Sequence, residues 1–218
     1  MSQKRKEDAS GLQRYCANSI IPGASTNSMI IISRYELIEK PHLGFKSVVS
    51  HETVPCPCCL GLKYRVIGSR KRSYTNQNGR PAVLSLRRLR CQQCRKIHHE
   101  LPDMLIPYLR SESQVVEAVI DEASIEGHPA EKALSALELT GLNRWKQWYF
   151  KRLHHFVGAL ESIAFRYKLF CESVDPLESK SSLSRWVGSG SGWLARTVRV
   201  IANANLWPHT RMVLMSSP

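Results

Sequence analysis

Between Leu60 and His99 the chain contains no aspartate and no glutamate. That absence excludes local charge neutralisation, because the same stretch carries eleven cations: Lys63, Arg65, Arg70, Lys71, Arg72, Arg80, Arg87, Arg88, Arg90, Arg95 and Lys96. The remaining residues do not make up the deficit. Over 218 residues, 31 Lys and Arg face 18 Asp and Glu, a formal net charge of +13 with a sequence pI near 9.7. Such a balance favours a polyanionic partner, nucleic acid before any other.

Long hydrophobic runs are missing as well. The stretch SMIIIS gives four consecutive apolar residues, against the roughly 18 to 20 of a membrane-spanning helix, so no membrane partner is expected. The start, MSQKRKEDASGLQRYC, has basic residues with no apolar stretch behind them, which argues against a secretory signal. Aspartate is scarce: Asp8, Asp103, Asp121 and Asp175 are the whole set. None lies in an alternating α/β segment that brings three carboxylates to one two-metal site, so a nuclease-type triad is not expected. The chain reads as a non-enzyme with no small-molecule substrate, and it has no internal repeat of solenoid length.

What is present, and clustered, is cysteine. Of seven, five fall in two groups, Cys56-Pro-Cys58-Cys59 and Cys91-Gln-Gln-Cys94. The second is a C-x2-C turn, and Cys56 with Cys59 makes the first a matching one. Each such turn aims two sulfurs at one point, and two turns complete a tetrahedron around Zn2+. By that spacing Cys56, Cys59, Cys91 and Cys94 hold one structural Zn2+ and Cys58 is the spare, since C-x-C or adjacent cysteines wrap one ion less readily. Disulfides and inert buried thiols are the competing readings. An odd count, and two knuckles in a chain without a signal sequence, weigh against them and suit a reducing compartment, the cytoplasm; association with the nucleoid is the expectation that goes with a DNA partner. A redox C-x2-C is expected near a βαβ pattern, which is absent. Four thiolates leave no open position for water or substrate, so the site is structural. Adjacent His98 and His99 point apart on a strand or helix, so both cannot readily ligate one ion; a packing or hydrogen-bonding role suits them, with His98 a substitute ligand if one cysteine is not used.

Along the chain, residues 1–28 read as a disordered leader. Met29–Ser33 suits one short strand, followed by a turn at Lys40–Pro41. LKYRVIG and AVLSLRRLR have strand character, and TNQNGRP between them is a turn, so a β-hairpin is predicted. Residues 29–110 then form a zinc-ribbon domain. Downstream the apolar period changes from two to about 3.6. Val115, Val116, Val119, Ile120 and Ala123 make one stripe, opened by Ser111 and Gln114 as a capping box. Ala130, Ala133, Leu134 and Leu137 make a second, and Leu142 to Tyr167 a long third that predicts one helix to about Phe170. Residues 111–171 thus read as a helical domain. Residues 172–218 read as a linker and a last helix stopped near Pro208. The predicted fold class is α+β: a small four-cysteine zinc ribbon, built on the β-hairpin, followed by a mostly helical domain with a helix-turn-helix-like unit and one long helix.

In that unit the LTG before Leu142 serves as the turn, and the third helix presents Asn143, Arg144, Lys146 and Gln147 near its start, with Lys151 further on. These side-chain types read base edges in a major groove or meet phosphate; an ordinary helical bundle with a basic face is a nearly equal alternative. Trp145 is assigned to the core. In the ribbon, Arg70, Lys71, Arg72, Arg87, Arg88, Arg90, Arg95 and Lys96 are the expected phosphate contacts.

With CPCCLG, RRLRCQQCRKIHHELPDMLIPYLR, RWKQWYFKRL and GWLARTVRVIANANLWPHTR together, the chain resembles a bacterial zinc-ribbon family associated with mobile elements. Its front half is similar to the zinc ribbon and helix-turn-helix region of insertion-sequence transposases. In the family pattern C-P-x-C-G-G, Cys56 and Cys59 fall on the ligand positions and Cys58 on the variable one. The chain departs from the pattern at Leu60 and Arg95, where relatives often carry the glycine after each knuckle. The resemblance implies no enzymatic activity. The expectation is a DNA-binding protein that depends on zinc to fold, accessory or regulatory in a mobile element, with double-stranded DNA and a transposition or transcription protein as partners. A protein-interaction scaffold and an RNA-binding protein are the alternatives.

Overall fold

The computed structural model describes residues 27–124, 136–168, 183 and 186–207. Six strands form one mixed sheet, curled into a half-barrel: β1 (Asn27–Ile32), β2 (Tyr35–Lys40), β3 (Phe45–Ser50), β4 (Tyr64–Thr75), β5 (Pro81–Cys91) and β6 (Ile97–Pro102). The longer helices of the described residues are α1 (Ser113–Ser124), α2 (Ala136–Phe150), α3 (Leu153–Tyr167) and α4 (Trp193–Asn203). The leader to residue 26, the helix expected from Ala130 and most of the linker after residue 172 lie outside the described residues, as do Cys16 and Cys171.

β5 organises the sheet. The hairpin partner β4 runs antiparallel along one edge. The other edge is divided between β3, parallel at Leu84 and Ser85, and β6, antiparallel at Arg88–Arg90. β2 pairs antiparallel with β3, and β1 pairs parallel with β6. The hairpin expected from TNQNGRP is present. Asn76 accepts the N–H groups of Asn78 and Arg80 on its side-chain oxygen, at 3.0 and 2.9 Å. Gly79 sits at φ +73, a conformation that costs glycine little and other residues more.

The expected division into a small ribbon followed by a helical domain is overturned: the chain is strand-rich, and the hairpin is two strands of six. The reason lies in Ile30, Ile31 and Ile32, all buried. Three consecutive buried residues in a strand need cover on both faces, which an isolated ribbon cannot supply. Here the far C-terminal helix helps to supply it. α4 packs on β1, and the Asn203 side chain accepts the Ile31 N–H (2.8 Å) and donates to the Ile31 carbonyl (2.9 Å). It thereby takes the place of a further strand at that edge.

The helices are tied together by carboxylates. Glu117 of α1 is buried and accepts the N–H groups of Gly192 and Leu194, at 2.6 and 2.8 Å. The N-terminus of α4 is thus capped from another helix, in a position that favours negative charge. One turn along α1, Asp121 accepts from the Trp193 indole at 3.3 Å. Val116 and Ile120 are buried, as the first stripe predicted. The start of α1 differs from the expected capping box: Ser111 and Glu112 form bridges to Thr75 and Leu105, joining the sheet before the helix begins at Ser113.

Two further expectations fail in the helical part. The long helix is broken at Lys151 and Arg152 into α2 and α3. The break brings Phe156 against both Trp148 and Trp207, each with ring centroids 5.9 Å away, which one straight rod would not do. The helix-turn-helix turn is also absent, because Thr140, Gly141 and Leu142 lie inside α2. A single glycine costs a helix interior about 1 kcal/mol, which a helix of 15 residues absorbs. Among the described residues no helix is long and apolar enough to cross a membrane.

Candidate metal centre and basic groove

The two knuckles fold alike, residue for residue. In the first, the Leu60 N–H donates to the Cys56 carbonyl (2.8 Å) and the Cys56 N–H to the Gly61 carbonyl (2.9 Å). In the second, the Arg95 N–H donates to the Cys91 carbonyl (3.1 Å) and the Cys91 N–H to the Lys96 carbonyl (3.0 Å). Leu60 and Arg95 hold φ +62 and +64. Both therefore adopt the left-handed conformation of the glycine they stand in for, at a cost of about 1 to 2 kcal/mol each. Under this equivalence Cys58 corresponds to Gln93, which has no sulfur to offer.

The sulfurs agree. Cys56, Cys59, Cys91 and Cys94 place their four Sγ atoms within 4.8 Å of one another, and the Cys56–Cys94 and Cys59–Cys91 pairs are each 3.6 Å apart. A tetrahedral site with Zn–S bonds of about 2.3 Å has edges of about 3.8 Å, so this set fits one Zn2+. None of the five clustered cysteines is in a disulfide. The thiols are not perturbed alike: burial raises Cys91 but the backbone N–H groups of Cys94 and Gln93 outweigh it and lower its pKa, whereas Cys56 and Cys94 hold their protons more tightly. The neighbouring Cys58 side chain, then burial, push Cys56 up, and burial pushes Cys94 up to about 11. A divalent cation reverses that preference, since ligation stabilises the thiolates.

His98 lies behind the cluster. It is fully buried, its Nε2 is 3.3 Å from Cys56 Sγ, and Tyr64 packs edge-on against its ring. Burial pushes its pKa down to about 4, so it is neutral. Tyr64 in turn donates to the Val54 carbonyl at 3.1 Å, fastening the approach to the first knuckle. The packing and hydrogen-bonding role suits this position. His98, Cys56 and Cys58 also form a second group of potential ligands.

The cations expected to meet phosphate divide into two kinds. Some are engaged within the fold. Arg72 donates to the carbonyls of Ile106 and Leu109, at 2.8 and 2.6 Å. Arg87 forms a two-pronged ion pair with buried Glu100, at 2.6 and 2.8 Å. Lys71 lies over the Phe45 ring at 4.7 Å. Others gather at the knuckle end of the hairpin, where Arg65, Arg90 and Arg95 are exposed and Arg88 is half-buried. A concavity of about 870 Å³ there is lined by Arg65, Arg88, Arg90 and Arg95, with no acidic residue, together with the apolar Val66, Ile67 and Ile97. Arg88 Nε is buried without a hydrogen-bond partner among the described residues. Burial, then the Arg70 and Arg88 charges, depress the pKa of nearby His99. Arg70 and Lys96 are exposed, outside the lining.

The helical candidates are elsewhere. Asn143, Arg144 and Gln147 are exposed and Lys146 half-buried in the second half of α2, while Lys151 is exposed at the break. They lie mid-helix and beyond, without the projecting helix start that motivated the base-reading assignment. Trp145 is partly buried against the core, as expected.

Sequence reasoning left Arg65, Val66, Ile67 and Gln92 out of the site. The groove exists because β4 is bulged: Val66 pairs with Leu89 and Gly68 with Arg88, leaving Ile67 as an extra residue. The signal was Gly68, at φ +141, since an isolated glycine in a strand pattern marks a bulge.

Residues 56–145 match the model of a family described as a domain of unknown function, DUF6431. The match begins at Cys56, the first cysteine of the cluster, and runs through the hairpin, both knuckles, β6 and α1 into α2, covering less than half of the chain. No curated protein and no solved structure matches the chain.

Proposed function

We propose that this protein binds nucleic acid, duplex DNA first, by seating the phosphate backbone in the arginine groove that the metal centre holds in shape. The observation that carries the reading is the groove itself: four arginines from β4, β5 and the second knuckle converge on one concavity with no carboxylate in its lining. Guanidinium groups match phosphate oxygens in two-pronged pairs, and they stay charged at every physiological pH. Zn2+ supplies no reaction here. When bound by Cys56, Cys59, Cys91 and Cys94 it fixes the two knuckles together, and the second knuckle carries Gln92 and Arg95 into the groove wall. The setting we propose follows the resemblance to mobile-element proteins: an accessory or regulatory DNA-binding protein without its own catalytic domain.

The test is the salt dependence of binding to a duplex. The slope of log K against log salt is about −0.9 per neutralised phosphate. Replacing Arg65 and Arg90 together by alanine should reduce its magnitude by about 2. An unchanged slope in that double variant removes the groove from the interface. Competition with duplex RNA and with single strands, at fixed salt, shows which nucleic acid is preferred. If none of them binds at low salt, the reading fails and an acidic protein becomes the partner to seek.

A further inference from the structure

Cys58 and His98 are the two potential ligands that the four-sulfur centre does not use. Their placement is not incidental to it. Cys56 belongs to both groups: with Cys59, Cys91 and Cys94 it completes one tetrahedron, and with Cys58 and His98 it forms a second set whose ligand atoms again lie within 4.8 Å of one another. The two sets share one sulfur.

Distances in the second set fit a metal. A tetrahedral zinc with one sulfur at about 2.3 Å and one imidazole nitrogen at about 2.05 Å separates those atoms by about 3.6 Å. Cys56 Sγ and His98 Nε2 are 3.3 Å apart, a spacing that suits an N–H···S hydrogen bond as well. What a hydrogen bond does not require is a third ligand atom, and the Cys58 sulfur lies within 4.8 Å of both. Charge points the same way. One Zn2+ with four thiolates carries a formal charge of −2 beside a half-exposed cysteine and a buried histidine. A second Zn2+ sharing Cys56 and taking the Cys58 thiolate brings the total to −1, and a smaller buried charge costs less desolvation. His98 is fully buried and Cys58 half-exposed, so an ion reaches this group from the Cys58 side.

We propose that Cys56, Cys58 and His98 form a second metal site, in which the Cys56 thiolate bridges the structural Zn2+ and a second Zn2+ or ion of similar softness. Binding displaces one proton, from the Cys58 thiol, and oxidises nothing. Cys58, the third cysteine of its knuckle, then has a function of its own, and the centre becomes a two-metal thiolate cluster.

Native mass spectrometry of the full-length reduced chain, loaded with Zn2+ and passed through gel filtration to strip loosely held ions, counts the metals directly. Two ions per chain are expected in the wild type, and one in Cys58→Ser and in His98→Gln. Because His98 is buried and its replacement can unfold the site, the half-exposed Cys58 carries the comparison. Cadmium NMR of the wild type adds a readout independent of any variant: two resonances coupled through the shared sulfur. One ion in the wild type with Cys58→Ser unchanged overturns the proposal and leaves His98 as a hydrogen-bond donor to Cys56. Two ions in both proteins also overturn it, by placing the second ion elsewhere. No retained ion in either overturns the four-cysteine centre as well.

Discussion

The two ends of the β4–β5 hairpin have nearly the same composition and opposite uses for it. Toward the tip and middle, Arg72 binds the carbonyls of Ile106 and Leu109, Lys71 covers Phe45, and Arg87 neutralises Glu100. At the knuckle end Arg65, Arg88, Arg90 and Arg95 surround a groove with no carboxylate in its lining. The difference is in what packs against each end. The 102–112 segment crosses near the tip and brings carbonyls to be satisfied, whereas the second knuckle and the start of β6 close the other end. A count of cations therefore does not single out a surface; what distinguishes the groove is that its cations have no carboxylate in the lining.

The largest effect expected is from metal removal. Structural zinc sites contribute about 10 to 16 kcal/mol in small domains, so chelation should unfold the knuckle end and abolish DNA binding. Hydrogen exchange then separates the ends. Amides around Cys91 and Tyr64 should lose protection while those around Tyr74 and Ala82, held by the adjoining segment, keep most of theirs. Equal loss at both ends would show that the hairpin melts as one unit. Cys91→Ser should reproduce the chelated state.

Next in size is Arg87→Ala. Removing one partner of a buried ion pair costs about 3 to 5 kcal/mol. The low end applies here, about 3 kcal/mol, because the Arg87 side chain is 36% exposed although Glu100 is only 4% exposed. Arg72→Ala leaves two carbonyls without their charged donor and should cost about 2 kcal/mol. Urea denaturation measures both. Neither variant should alter the salt slope of DNA binding in the folded protein. The groove pair Arg65 and Arg90 should behave inversely, changing stability by no more than about 0.5 kcal/mol while lowering the slope. A reversal between the two sets would break the division of the hairpin into a structural and a binding end.

The four-cysteine cluster was legible because spacing alone restricts it: C-x2-C is a local geometric device, and the hairpin between the knuckles announced itself in Asn76 and Gly79. The sheet was not legible. β2 and β3 alternate weakly, and β6 lies in a segment, HHELPDMLIPYLR, whose two prolines say only that it is not one helix. The β1–β6 pairing and the Asn203 contact with Ile31 join residues far apart in sequence, and periodicity carries no information about such partners. The failed helix-turn-helix has the complementary cause. Thr140 and Gly141 are a turn by local preference, but a continuing helix on both sides overrides that preference. Within the basic stretch, pattern could count arginines but could not tell Arg87, whose carboxylate is on a nearby strand, from Arg88, which has none among the described residues.

The smallest effect concerns strain, which also differs between the two ends. At the tip the positive-φ position is filled by Gly79, but in the knuckles the equivalent positions are filled by Leu60 and Arg95. Replacing a non-glycine residue in the left-handed region by glycine recovers about 1 to 2 kcal/mol, less about 0.4 to 1 kcal/mol for the extra freedom of the unfolded chain. Leu60 is 46% exposed and gives up little burial. Leu60→Gly should therefore stabilise the zinc-bound protein by about 0.5 to 1 kcal/mol, read from the urea midpoint, with DNA affinity unchanged. Arg95→Gly should gain similar stability and lose affinity, because it removes a groove cation along with the strain. If Leu60→Gly weakens binding as much as Arg95→Gly does, the knuckle's shape and not its charge determines affinity, and the contrast between the two ends rests on the metal alone.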